Sequence, residues 1–146
     1  MSGEPGPKPA GGGPNVLVSD RQGDAVDTEG LASLAADVLV GEGRGDVELS
    51  LSFVTEDEIA ALHVRYMDEP GPTDVLSFPM DEDGLLGDVV VCPAVAARNN
   101  PADSQGELRL LVAHGVLHLL GHDHEEERGR AEMWARQERY SGVRAP

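Results

Sequence analysis

Residues 107–120, ELRLLVAHGVLHLL, constrain the fold more than any other stretch of this chain. Apolar side chains lie nearly all round a helical wheel, so the segment reads as a helix that other elements must bury. Past Arg109 its only side chains that are not apolar belong to His114 and His118. At i and i+4 the two rings share one helix face, about 6 Å apart along the axis. Burying two separate, unsatisfied imidazoles is costly, and one small cation satisfies both.

Gly121 can adopt a left-handed conformation, end this helix and turn the chain back, which returns His124 toward the pair as a third ligand. His122 is the alternative ligand, with less chain in which to turn. Three protein ligands leave a coordination position open, as in catalytic zinc sites. One Zn2+ held by His114, His118 and His124 is therefore the expected cofactor, although three imidazoles also suit nickel, copper or iron. Asp123 either orients a ligand imidazole or serves the turn ahead of Glu125, Glu126 and Glu127, which read as first-turn acids of a last helix.

The spacing from His114 to His124 matches the zinc-protease pattern H-E-x-x-H-x-x-G-x-x-H except that Gly115 replaces the general-base glutamate. Without that carboxylate, peptide hydrolysis lacks its proton acceptor, so a working protease is not expected.

The remaining chain reads as a small sheet covered by helices, an α/β (α+β) domain over 15–146. Residues 1–14 are rich in Pro and Gly and predict a disordered tail. Asn15–Ser19 reads as a strand, and Leu31, Leu34, Ala35, Val38 and Leu39 as one face of a helix that ends at 41–45. Strict alternation from Val47 to Phe53 predicts a half-buried strand. Thr55 and Glu58 have capping-box spacing before a helix with Ile59, Leu62, His63 and Tyr66 on one face. After the loop 68–73 come strands at Asp74–Phe78 and Gly87–Cys92, then helical patterns at 93–98, 107–120 and 125–140. His63, Met133 and Trp134 are expected to pack inward. Thr73 and Asp74 either line a cleft or serve the turn. Ser77 has no local histidine base, and Cys92 is a small buried residue or a fourth metal ligand.

Charge narrows the partners. Eleven basic residues against 27 acidic give a formal charge of -16, and Lys8 is the only lysine. Extensive binding of duplex phosphate backbone requires a basic surface, so no DNA partner is expected. No apolar run is long enough for a membrane span, none resembles a signal peptide, and one cysteine allows no internal disulfide, so a cytoplasmic location is expected.

The histidine segment 114–124, preceded by Pro72-Thr-Asp-Val-Leu-Ser-Phe-Pro79 and Leu86-Gly-Asp-Val-Val-Val-Cys92, resembles the YbeY family of bacterial single-strand-specific metallo-endoribonucleases. The resemblance runs over about 15–140. It implies a mixed four-stranded sheet with about five helices and a zinc on His114, His118 and His124. It also implies hydrolysis of single-stranded RNA at the 3′ end of 16S rRNA, in rRNA maturation and ribosome quality control beside the small ribosomal subunit and its proteins. Many members carry an arginine where this chain has Met67; Arg65, two residues earlier on another side of the same helix, is the candidate for a phosphate contact. Zinc-bound water is the expected nucleophile, its pKa lowered to near 7. Two other readings stay open: a different metallohydrolase on the same site, and a zinc-stabilised ribosome-assembly factor that cleaves nothing.

Overall fold

The computed structural model describes residues 14–69, 71, 73–82, 84–122 and 127–143. In chain order the elements are β1 (Asn15–Asp20), α1 (Thr28–Gly41), β2 (Glu48–Phe53), α2 (Glu56–Met67), β3 (Val75–Glu82), β4 (Leu85–Val91), α3 (Pro93–Asn99), α4 (Ser104–Leu119) and α5 (Glu127–Ser141). The four strands form one mixed sheet in the order β1-β2-β4-β3. β1, β2 and β4 run parallel, and β3 is antiparallel to β4. This is the expected α+β architecture. The tail expected over 1–14 lies, but for Pro14, outside the described residues.

Alternating side chains of β4 divide the core between the two faces of the sheet. Val89 and Val91 join Leu49, Leu51 and Phe53 in a cluster with Leu34, Val38, Val112, Val116 and Met133, from α1, α4 and α5. Val90 points the other way, into a smaller cluster with Leu76, Cys92, Ile59 and Leu62. Thus α4 and α2 cover opposite faces.

Several boundaries differ from expectation for local reasons. α1 begins at Thr28 because the Asp27 carboxylate accepts the Gly30 N–H, a side-chain cap ahead of the apolar stripe. β3 continues beyond the expected end at Phe78, through Pro79 to Glu82. Among the described residues its only partner is β4, and an edge strand tolerates the missing donor. Of the expected capping box, Thr55 Oγ1 accepts the Glu58 N–H at 3.2 Å, while the Glu58 carboxylate accepts from Arg21 at 2.7 Å.

α4 packs on the sheet at very close range. A Cβ at Gly115 would lie 2.6 Å from Val89 Cγ1, so no side chain fits between helix and strand. The Ser77 hydroxyl donates to the Gly115 carbonyl at 3.1 Å and ties β3 to the same turn.

Candidate metal centre

His114 and His118 project from the last two turns of α4 with their rings nearly parallel, 7° between planes and 6.2 Å between centroids. Their burial differs from expectation. α4 is covered from Gly106 to Leu117, but His114 is half-buried and His118 is exposed. Leu117 is buried, and Leu119 and Leu120 pack against the core, so the final turn stays on the sheet while His118 lies on its exposed face.

The protein side is supplied by α5. His114 Nδ1 donates to Gln137 Oε1 at 2.5 Å. Gln137 is buried on the α5 stripe that also carries Met133 and Ser141. The Ser141 hydroxyl donates to the Gln137 carbonyl at 2.5 Å, and Arg109 Nε donates to the Ser141 carbonyl, which holds the end of α5 on α4.

Gly121 ends α4 as expected, at φ +99°. The His122 N–H returns to the Leu117 carbonyl and the Gly121 N–H to the His118 carbonyl, satisfying helix-end acceptors. The His122 ring is then held away by α1. Its Nε2 donates to Glu42 Oε1 at 2.9 Å, while Arg136 and Tyr140 of α5 donate to Glu42 Oε2 at 2.6 and 2.8 Å. Burial alone would raise the Glu42 carboxyl pKa; the hydrogen bonds from Tyr140, His122 and Arg136 and the Arg136 charge outweigh it and hold the pKa low.

A cavity of about 430 Å3 opens beside the pair, lined by Asp74, Glu107, Leu110, His114, Trp134 and Gln137 among others. Burial raises the Glu107 carboxyl pKa, and the Asp74 charge adds to that rise. Asp74 lines this cavity, and its backbone carbonyl accepts the Cys92 N–H at 2.9 Å, one residue beyond the β3–β4 ladder. Trp134 is a correction, since it lies 39 % exposed at the cavity while Met133 alone of the two anchors the core.

The other candidates fall elsewhere. His124, Asp123, Glu125 and Glu126 lie outside the described residues. Cys92 is buried in the cluster across the sheet, which excludes it as a fourth ligand to the pair. His63 Nδ1 donates to the Gly71 carbonyl. Arg65 and Met67 lie on α2, on the opposite face of the sheet from α4, and the Arg65 guanidinium carbon lies 5.3 Å from the Tyr66 ring centroid. Among the described residues no third ligating side chain completes a metal cluster. Gln137 was missed by sequence reasoning. Its signal was a polar residue midway between Met133 and Ser141 at helical spacing, obscured in a helix that is polar almost throughout.

The pair fits a metal ion on the chemistry of its donors. Two imidazoles stand parallel on one face, and one is already oriented through its Nδ1, which leaves Nε2 as the ligating atom. Fold and site together define a one-domain α+β protein with a histidine pair on a sheet-packed helix beside a largely apolar cleft. The family model described as Endoribonuclease YbeY matches residues 17–142. Relatives named Endoribonuclease YbeY include one from Kineococcus radiotolerans, 50% identical over 134 residues, covering 81% of this chain and 77% of the relative. One from Thermobifida fusca is 47% identical over 138 residues, covering 84% and 89%. The solution structure of TM1509 from Thermotoga maritima is similar with a TM-score of 0.62 and 33% identity, covering 86% of each chain. The chain belongs to the endoribonuclease YbeY family.

Proposed function

We propose that this chain is a zinc-dependent endoribonuclease for single-stranded RNA whose ion is held by His114, His118 and His124. The observation that carries the reading is the parallel His114–His118 pair beside the cleft. Commitment of the His122 ring to Glu42 favours His124 over His122 as the third ligand. A bound zinc lowers the pKa of water and polarises a phosphoryl oxygen.

The chain's own residues supply the rest. Trp134 offers an exposed ring on which a base can stack, and the apolar wall at Leu110 and Leu111 excludes water from one side of the cleft. The Asp74 and Glu107 carboxylates repel phosphate and accept base N–H groups, so they turn a strand with its bases toward them and its backbone toward the histidines. A net charge of -16 gives no broad basic face for a duplex, which favours a short single strand bent into the cleft. Ribosomal RNA processing, at the 3′ end of 16S rRNA beside the small subunit, is the setting that family membership suggests. No described helix is long and apolar enough to cross a membrane, and a cytoplasmic site of action is part of the proposal.

The test is cleavage of a labelled single-stranded RNA by zinc-loaded protein beside His118→Ala from the same preparation. Cleavage by the wild type alone supports the reading. Equal cleavage by both marks a contaminating nuclease, and cleavage by neither moves the reading to a zinc-stabilised assembly factor.

A further inference from the structure

Gln137 is a buried polar side chain on an α5 stripe whose other inward positions are Met133 and Ser141. Stability alone would be served by an apolar residue there, because a buried amide gains nothing over a hydrocarbon unless it finds partners. The partner it has is His114: the Gln137 Oε1 lies 2.5 Å from Nδ1. An amide oxygen only accepts, so Nδ1 must carry the proton and Nε2 the lone pair. Free neutral imidazole favours the opposite tautomer. The ring also cannot rotate about its Cβ–Cγ bond without breaking this contact.

We propose that Gln137 is a positioning residue that holds His114 in the Nδ1–H tautomer with Nε2 presented for metal ligation. This role rests on the metal reading above. The choice of a neutral amide has a chemical consequence. A carboxylate at this place would pull the proton from Nδ1 and make the imidazole a stronger donor, tightening metal binding while quenching the ion's positive charge. The amide fixes orientation and tautomer and leaves that charge to act on substrate. The helix supports the contact mechanically, since the Ser141 hydroxyl and Arg109 tie the last turn of α5 down within one turn of Gln137.

The experiment uses the full chain, metal-free and then titrated with zinc. In 15N-labelled metal-free wild type, long-range 1H–15N spectra should show His114 with a protonated Nδ1 and an unprotonated Nε2. Gln137→Leu should move the ring toward the Nε2–H tautomer and weaken zinc binding about 10- to 100-fold in competition with a chromophoric chelator. Gln137→Glu should keep the Nδ1–H tautomer and bind zinc at least as tightly as wild type. A protonated Nε2 on His114 in the wild type overturns the proposal, as does unchanged zinc affinity in Gln137→Leu. If Gln137→Leu does not fold, the wild-type tautomer and the Gln137→Glu affinity decide. Failure of the underlying reading looks different: wild type and His118→Ala would then take up zinc equally poorly, whatever the tautomer of His114.

Discussion

His122 and Glu42, eighty residues apart in sequence, meet at 2.9 Å. Their contact pins the turn that follows α4 to the end of α1, and Arg136 and Tyr140 bring α5 to the same carboxylate. Three helices are thus clamped around one acid.

Glu42→Gln should lower stability at pH 7 by about 1 kcal/mol, the scale of a lost charge-assisted hydrogen bond with a partly exposed arginine. The Glu42 carboxyl is held below its ordinary range in the folded protein. Its contribution is therefore fully present above the ordinary glutamate range and is lost as pH falls through the depressed value. Denaturant melts of both proteins at pH 7 and at about pH 3 check this. The gap should narrow in acid, and a gap that widens there would refute the assignment.

Gly115→Ala separates two opposing effects. Helix propensity favours alanine by about 1 kcal/mol. The new Cβ, however, would stand 2.6 Å from Val89 Cγ1, and Val89 is fully buried and stiff. A net loss of about 1–3 kcal/mol is expected. Val89→Ala in the same background should recover part of it, measured as a coupling energy in a double-mutant cycle.

Ser77→Ala should remove the hydroxyl that donates to the Gly115 carbonyl and cost about 1 kcal/mol of stability. RNA cleavage at 25 °C should persist within a few-fold. Complete loss of cleavage in a folded variant would give Ser77 a chemical role that its position does not suggest.

Trp134→Ala tests the cleft. With its ring 39 % exposed, the tryptophan contributes little to the core. The variant should keep its melting temperature within a few degrees while KM for single-stranded RNA rises about 10-fold, the scale of one lost base stack. A change in kcat alone would point away from stacking.

The alternation of β2, the apolar wheel of α4 and the i, i+4 histidines were all legible because each is a local pattern with one physical meaning. What escaped depended on neighbours distant in sequence. The strand expected to end at Phe78 runs on through Pro79 because β3 lies at the edge of the sheet. Trp134 reads as a core anchor until Met133 is seen to take the buried position beside it. His118 is exposed although Leu117 beside it is buried and Leu119 packs on the core, and the apolar wheel of one helix cannot show which of its faces stays uncovered. Gly115 was legible as a missing glutamate, yet its cause, the 2.6 Å approach of Val89, needed the packing of helix on strand.

Gln137 follows His114 by 23 residues and lies on the last of the described helices, after every strand of the sheet. During synthesis the strands and α4 leave the ribosome first, and domains gather their structure in that direction. The histidine pair is therefore made before the side chain that orients it. A nascent chain can thus complete every strand of its sheet before the side chain that meets His114 has been made.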